Sequence, residues 1–141
     1  MLRITILFVL LFANSKLYAN SKTDNINIAE KILKITVDET GIIKVGRDTI
    51  SSDNLARYIQ ERLFKSFMGT GHMHNLIKFE KLNENVPEMV AEVVLKEIKE
   101  GQKRALTELS LQKYKKLFDN LDINKQKKIK KQFPVLFQTE F

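Results

Sequence analysis

His72 and His74 are the first candidates for chemistry, because two imidazoles two residues apart on a strand can share a metal ion. They are the only histidines in the chain, which contains no cysteine. A stable metal site needs a third or fourth ligand at a defined place, and the sequence suggests no acidic residue or further histidine for that position. We therefore expect both histidines to be exposed polar residues of a turn. The lack of cysteine excludes disulfides, thiolate zinc sites, iron–sulfur clusters and a cysteine nucleophile.

The serines and the glycine-rich stretch form no catalytic pattern either. Ser51 and Ser52 would need a nearby base to act as nucleophiles, and their place before an apolar stripe is typical of helix N-caps. The stretch Gly69-Thr70-Gly71 lacks the Gly-Lys-Ser/Thr ending of a phosphate-binding loop. No two carboxylates are marked as a catalytic pair. The sequence therefore predicts a non-enzymatic protein that works by binding and uses no cofactor or metal.

The strongest candidate binding feature is a cluster of lysines near the C-terminus. The chain has a formal net charge of +7 and a pI of about 9.6. The cluster consists of Lys125, Lys127, Lys128, Lys130 and Lys131. One interpretation is a solvated helix that docks through Ile129 and Phe133, with its lysines serving solubility. The other is that the lysines contact an anionic polymer or lipid surface, which would make binding strongly dependent on salt.

The N-terminus has the organisation of an export signal. A short basic start from Met1 to Arg3 precedes ten apolar residues, Ile4 to Ala13, and a polar stretch then leads to Ala19. As a helix the apolar run spans ~15 Å, about half of the ~30 Å hydrocarbon core of a bilayer. We therefore predict that residues 1–19 are a signal peptide cleaved after Ala19, with a retained short membrane segment as the alternative. The remainder is expected in the periplasm, either soluble or tethered to the inner membrane.

The residues that follow divide into a linker, a domain and a tail. We predict a polar linker over 20–30, one α+β domain over 31–121 and a basic helical tail over 122–141. A length of 141 residues with 43% hydrophobic side chains is enough for one compact domain but not for two.

Three strands are predicted from alternating or β-branched apolar residues. The first covers 32–37 and the second 42–45, with a turn from Asp38 to Gly41 between them. The triplet Gly46-Arg47-Asp48 is expected to close this hairpin. The third strand covers 76–82, with Ile77 and Phe79 on one face.

Helices are predicted between and after these strands. The first begins after the Ser51 cap, and its core-facing stripe comprises Leu55, Ile59, Leu63 and Phe67. The second begins at Pro87, and its stripe comprises Val90, Val94 and Ile98. Gly101 leaves two alternatives open: it caps this helix and a fourth strand follows over 104–111, or the helix continues through it.

The C-terminal region is predicted to be helical. Leu111, Tyr114, Phe118 and Leu121 have helical spacing, and a short basic helix over 122–132 is stopped by Phe133-Pro134. The order β-β-α-β-α(-β) with extra C-terminal helices predicts a two-layer α+β sandwich.

With these elements in place, the chain resembles the ExbD/TolR family, the accessory proteins of ion-driven transport across the bacterial envelope. The stretch ILKITVDETGIIKVGRDTIS is similar to that family's periplasmic opening of strand, Asp-x-x-Gly turn and return strand. SSDNLARYIQERL follows at the place expected for that family's first helix, and NVPEMVAEVVLKEIKEG is similar to its second helix, where Val-Pro introduces a Val-rich stripe. The closing KKQFPVLFQ resembles the tail of forms from Bacteroidetes-type bacteria. The resemblance covers about residues 30–111 together with this tail.

The resemblance implies a dimeric periplasmic domain that engages an energy-transducing envelope protein, a membrane motor or the cell wall. Family members carry an acidic residue in a transmembrane helix for proton coupling, whereas residues 1–23 here contain no Asp or Glu. The coupling role is therefore assigned to no residue of this chain. The alternative is an unrelated exported basic protein that binds an anionic polymer or membrane surface through its lysines. Nucleic acid is not an expected partner, because export removes the chain from it and no aromatic stacking pattern accompanies the lysines.

Overall fold

The computed structural model describes residues 32–141, which form four strands and three helices. The predicted signal peptide and linker lie outside the described residues. The strands are β1 (Ile32–Val37), β2 (Ile43–Val45), β3 (Asp48–Ile50) and β4 (Leu76–Lys81). The helices are α1 (Ser52–Thr70), α2 (Glu88–Tyr114) and α3 (Ile123–Gln132), and two short 3₁₀ turns cover Phe118–Asn120 and Pro134–Phe137. The predicted α+β class is confirmed.

The strands form one mixed sheet in the order β3-β2-β1-β4. β1 pairs antiparallel with β2 and parallel with β4, so that Ile35 lies opposite both Val45 and Phe79. Because side chains alternate along a strand, β1 directs Leu33, Ile35 and Val37 into the core, where all three are buried. The residues between them lie on the opposite, exposed face.

The turn between β1 and β2 is organised by one carboxylate. Asp38 accepts hydrogen bonds from the Thr40 amide (3.0 Å), the Thr40 hydroxyl (2.6 Å) and the Ile42 amide (2.9 Å). These bonds hold the pKa of Asp38 below its usual value. Gly41 adopts φ +81°, a conformation that side chains disfavour. The predicted hairpin is therefore confirmed, together with its turn residues.

The third strand, β3, was not predicted. Its first residue, Asp48, was expected to belong to the turn that closes the hairpin, but it pairs with Val45 on β2. The Tyr58 hydroxyl on α1 donates to the Asp48 carboxylate, and Arg62 Nη2 donates to the same oxygen at 2.9 Å. Both bonds lower the pKa of Asp48, the one from Tyr58 more strongly. They fasten this short edge strand to α1.

Helix α1 follows its predicted stripe. Leu55, Ile59 and Leu63 are fully buried, and Phe67 is half-buried against the same core. Ser51 is the N-cap residue, and its hydroxyl accepts a hydrogen bond from Asn54 Nδ2 at 2.9 Å. The helix ends at Thr70, and the residue after it, Gly71, adopts the left-handed conformation.

Helix α2 decides between the two alternatives that Gly101 left open. It runs from Glu88 to Tyr114 without a break, so the continuous helix is confirmed and the strand over 104–111 is wrong. A Cβ atom on Gly101 would lie 2.8 Å from the Ala56 carbonyl oxygen and 2.8 Å from Ile59 Cβ. The glycine is therefore a point of close contact between α1 and α2, which outweighs its low helix propensity.

The helix predicted from Leu111 to Leu121 is interrupted. Lys115 adopts φ 56° and ends α2, and its amide donates to the Leu111 carbonyl at 3.0 Å. A 3₁₀ turn over 118–120 then leads to α3. Expecting one continuous helix here was wrong, because a residue in the left-handed conformation reverses the chain direction at the helix end.

The C-terminal segment packs on the same core as the rest of the domain. Ile129 and Phe133, which were predicted as docking points, are buried, as are Val135 and Leu136. The buried Gln102 of α2 donates from Nε2 to the Val135 carbonyl at 2.6 Å. The boundary predicted at residue 122 therefore does not separate two packing units.

Gln138 joins this segment to the edge of the sheet. Its side-chain amide donates to the Ile77 carbonyl at 2.7 Å and accepts from the Ile77 amide at 2.9 Å. The amide and the carbonyl of Ile77, which point away from β1 at the edge of the sheet, are therefore both hydrogen-bonded. In residues 32–141, no helix is long and apolar enough to cross a bilayer.

Candidate functional site

The two histidines do not assemble a metal site within the described residues. His72 is exposed, and its carbonyl accepts hydrogen bonds from the Ser66 and Thr70 hydroxyls, both at 3.0 Å. His74 is half-buried just before β4. Over residues 32–141, no group of three or more His, Cys, Asp or Glu side chains is placed to hold a metal ion.

The lysine cluster lies on α3, a helix that local signals define at both ends. Asp122 is its N-cap, and its carboxylate accepts from the Lys125 amide at 3.0 Å. Phe133 ends the helix before Pro134, which cannot continue it. The helix is anchored by Ile129, which is fully buried.

Two of the five lysines lie along the flanks of α3 and contact the domain. Lys125 Nζ pairs with the Asp122 carboxylate at 2.7 Å, and this hydrogen bond raises the pKa of Lys125. Lys130 Nζ lies over the rings of Phe137 and Phe118, at 5.6 Å and 6.0 Å from their centroids. Such contacts are worth ~0.5–1 kcal/mol each at exposed sites, so these two ammonium groups have partners within the domain.

The other three lysines form the outward face of the helix. A residue advances about 100° around an α-helix, which places Lys127 and Lys131 roughly opposite the buried Ile129. Lys128 lies beside them, and all three are exposed. In the described part of the chain none of the three has an ion pair. We call this surface the α3 outer face; it also contains Ile123, one turn before Lys127 and 61% exposed.

The positive charge extends to the end of α2. Between residues 113 and 131 the chain carries eight lysines and two aspartates, and therefore +6 of its net charge of +7. The three lysines outside α3 are Lys113, Lys115 and Lys116, all exposed. Lys113 Nζ lies over the rings of Phe133 (5.3 Å) and Phe67 (5.8 Å). The sequence analysis did not single out these three lysines, although a count of charges from residue 113 to residue 131 would have found them.

A second surface is the face of the sheet that the described helices leave open. Ile32 and Leu76 lie side by side there on β1 and β4, 44% and 39% exposed. On the same face, further along the strands, the Glu80 carboxylate accepts hydrogen bonds from Lys34 Nζ at 2.8 Å and from Lys78 Nζ at 2.7 Å. These two hydrogen bonds lower the pKa of Glu80 to about 2. The open face thus presents an apolar pair beside a group of paired charges.

Comparison with protein-family models, with curated proteins and with solved structures finds no match.

The two surfaces differ in the chemistry of their residues. The α3 outer face can attract anions through ammonium groups that have no ion-pair partner among the described residues. The strength of this attraction will depend on the salt concentration. The open face of the sheet can pack against an apolar partner surface through Ile32 and Leu76. Both are candidate binding surfaces.

Proposed function

We propose that this chain is a non-enzymatic accessory of an ion-motive-force-driven transport system of the bacterial envelope, of the ExbD/TolR kind. In this proposal the domain lies in the periplasm as a homodimer. It engages an energy-transducing envelope protein, a membrane motor or the cell wall.

The observation that carries the proposal is the order of elements on which the family-like motifs fall. The motif with the Asp-x-x-Gly turn falls on β1 and β2, and the two helical motifs fall on α1 and α2. The closing motif falls on the end of α3 and the turn after it, and this segment packs on the common core. Stretches that resemble one family at four places are thus parts of one folded unit.

The close contact at Gly101 adds support from packing. The second helical motif ends on this glycine. Because the residue has no side chain, α2 can lie close to Ala56 and Ile59 of α1. A glycine at that position of the motif therefore has a physical reason. Proton coupling is not part of the proposal, since residues 1–23 hold no carboxylate.

Photocrosslinking in the source bacterium tests the proposal. A crosslinking residue would replace Leu76 on the open face of the sheet, and a matched one would replace Lys65, an exposed residue of α1. We expect Leu76 to crosslink to a second copy of the chain or to an envelope protein, and we expect this pattern to change when an uncoupler collapses the proton gradient. Sensitivity to the gradient is the result that links the binding surface to energised transport.

The contrary result is equally clear. Crosslinks from both positions that are identical with and without the uncoupler would contradict a role in ion-driven transport. Sedimentation equilibrium of the purified chain checks the homodimer separately, since a monomer at all accessible concentrations would remove that part of the proposal.

A further inference from the structure

The α3 outer face combines two properties that a merely solvated helix does not need. Its lysines are directed away from the core. Lys127 and Lys131 both lie on the side of the helix that is opposite the buried Ile129. It also exposes a large apolar side chain, Ile123, in line with them at a spacing of four residues. Ile123 is the first residue of α3 and lies at the edge of the basic face, and most of its side chain is open to solvent.

We propose that the α3 outer face docks on the surface of an anionic phospholipid bilayer. The ammonium groups of Lys127, Lys128 and Lys131 would contact lipid phosphates, and Ile123 would enter the boundary between headgroups and acyl chains. Interfacial helices bind membranes through this combination of basic and apolar side chains. Such docking does not require the proposed role in transport.

Charge complementarity supports an anionic partner. The segment from 113 to 131 holds +6 of the net charge of +7, so the field of the domain is concentrated at one end of α2. Lys125 is neutralised locally by Asp122, the nearest carboxylate along the helix. The three lysines of the outer face have no such partner among the described residues, and they can reach an external surface without breaking a contact.

Ile123 favours a bilayer over a charged polymer. A soluble polyanion or a cell-wall polymer offers charge but no apolar layer for this side chain to enter, whereas a bilayer offers both.

A single tryptophan provides the test, because the chain contains none. Ile123→Trp places an environment-sensitive fluorophore at the edge of the face, and Met89→Trp places a matched one at the N-terminal end of α2, roughly 40 Å along that helix from the lysines at its C-terminal end. Met89 is 76% exposed. The full chain is mixed with vesicles of phosphatidylcholine containing one third phosphatidylglycerol, or with vesicles of phosphatidylcholine alone. We expect a blue shift for Ile123→Trp with the anionic vesicles only, and none for Met89→Trp.

Charge variants identify the lysines. Replacing Lys127, Lys128 and Lys131 with Gln in the Ile123→Trp chain should weaken the anionic-vesicle response by on the order of 100-fold in lipid concentration, about fivefold for each lysine. The control replaces three exposed lysines of α2, Lys96, Lys99 and Lys103, which removes the same charge. It should leave the response nearly unchanged. Thermal melts of all variants verify that folding is intact.

Three results would overturn the proposal. The first is no blue shift of Ile123→Trp with anionic vesicles. The second is an equal loss of response in the two triple-lysine variants, which would indicate a general charge effect. The third is binding to cell-wall sacculi that needs the three lysines and is tighter than binding to the anionic vesicles, which would assign the face to a polymer.

Discussion

Adding a methyl group at Gly101 tests the helix contact around which the core is built. In Gly101→Ala the new Cβ would lie 2.8 Å from the Ala56 carbonyl oxygen and from Ile59 Cβ. Neither atom can move by side-chain rotation, so α1 and α2 must separate by about 0.6 Å to restore ordinary contact in a close-packed interior. Overpacking of this kind costs ~1–3 kcal/mol, and the better helix propensity of alanine returns ~1 kcal/mol. We expect a net loss of up to about 2 kcal/mol in the free energy of unfolding.

Urea unfolding and thermal melts, both followed by circular dichroism, measure this change, and Gly69→Ala is the matched control. Gly69 is also helical, on α1, but no atom lies within 4 Å of the position its Cβ would take. That variant should gain about 0.5 kcal/mol, less than the full propensity difference because the residue is near the helix end. The two substitutions should therefore shift the melting temperature in opposite directions, by about 4 °C per kcal/mol. If Gly101→Ala stabilises the domain as Gly69→Ala does, the close helix contact is refuted.

Three further predictions concern the core, the C-terminal segment and the open sheet face. Leu63→Asp should abolish cooperative folding, because a buried carboxylate costs several kcal/mol against a typical total of ~5–15 kcal/mol; a melt close to that of the parent would show that the stripe is not core. Gln102→Ala should cost ~1–3 kcal/mol by leaving the buried Val135 carbonyl without this donor, and faster hydrogen exchange at residues 133–138 should report it. The pKa of Glu80 lies near 2 instead of 4.5. Its stabilising contribution is therefore full above pH 4.5 and lost as the pH falls through about 2. An NMR titration of its carboxyl group checks the value, and Lys34→Gln should raise it.

Local signals in the sequence predicted most elements correctly. The alternation of β1, the Asp38 turn and the stripe of Leu55, Ile59 and Leu63 each depend on residues close together in the chain. The same holds for α3, which was predicted over 122–132: it runs from Ile123 to Gln132 after an Asp122 cap, and its stop at Phe133 is confirmed. These features were predictable because each is stabilised mainly by neighbours in sequence.

The features that were missed depend on distant partners or on unusual backbone. β3 has three residues, too few for a periodic pattern, and it is held by Tyr58 and Arg62 from α1. Gly101 was ambiguous because a glycine inside a helix and a glycine after one look alike until the opposing helix is known. The end of α2 at Lys115 was hidden because lysine rarely adopts a positive φ.

The candidate site was predicted in composition but not in orientation. All five lysines and the docking role of Ile129 and Phe133 were evident from the sequence. The side of α3 that packs on the core determines which lysines face outward. It also determines that Ile123 is exposed. Deleting the lysine segment is consequently a poor test of its function, because the deletion also removes the buried Ile129. Charge substitutions on the outer face avoid this loss.

The most direct test of the central claim, that this domain works in the envelope outside the cytoplasm, is its N-terminal residue in each cell fraction. Periplasmic, carbonate-washed membrane and cytosolic fractions are analysed by mass spectrometry, and spheroplasts are treated with protease in parallel. We predict a mature protein that begins at Asn20 and is released with the periplasm. Recovery of a chain that begins at Met1 from washed membranes, with the domain open to protease, would favour the retained anchor instead. An intact chain in the cytosol, protected from protease in spheroplasts, would contradict the claim.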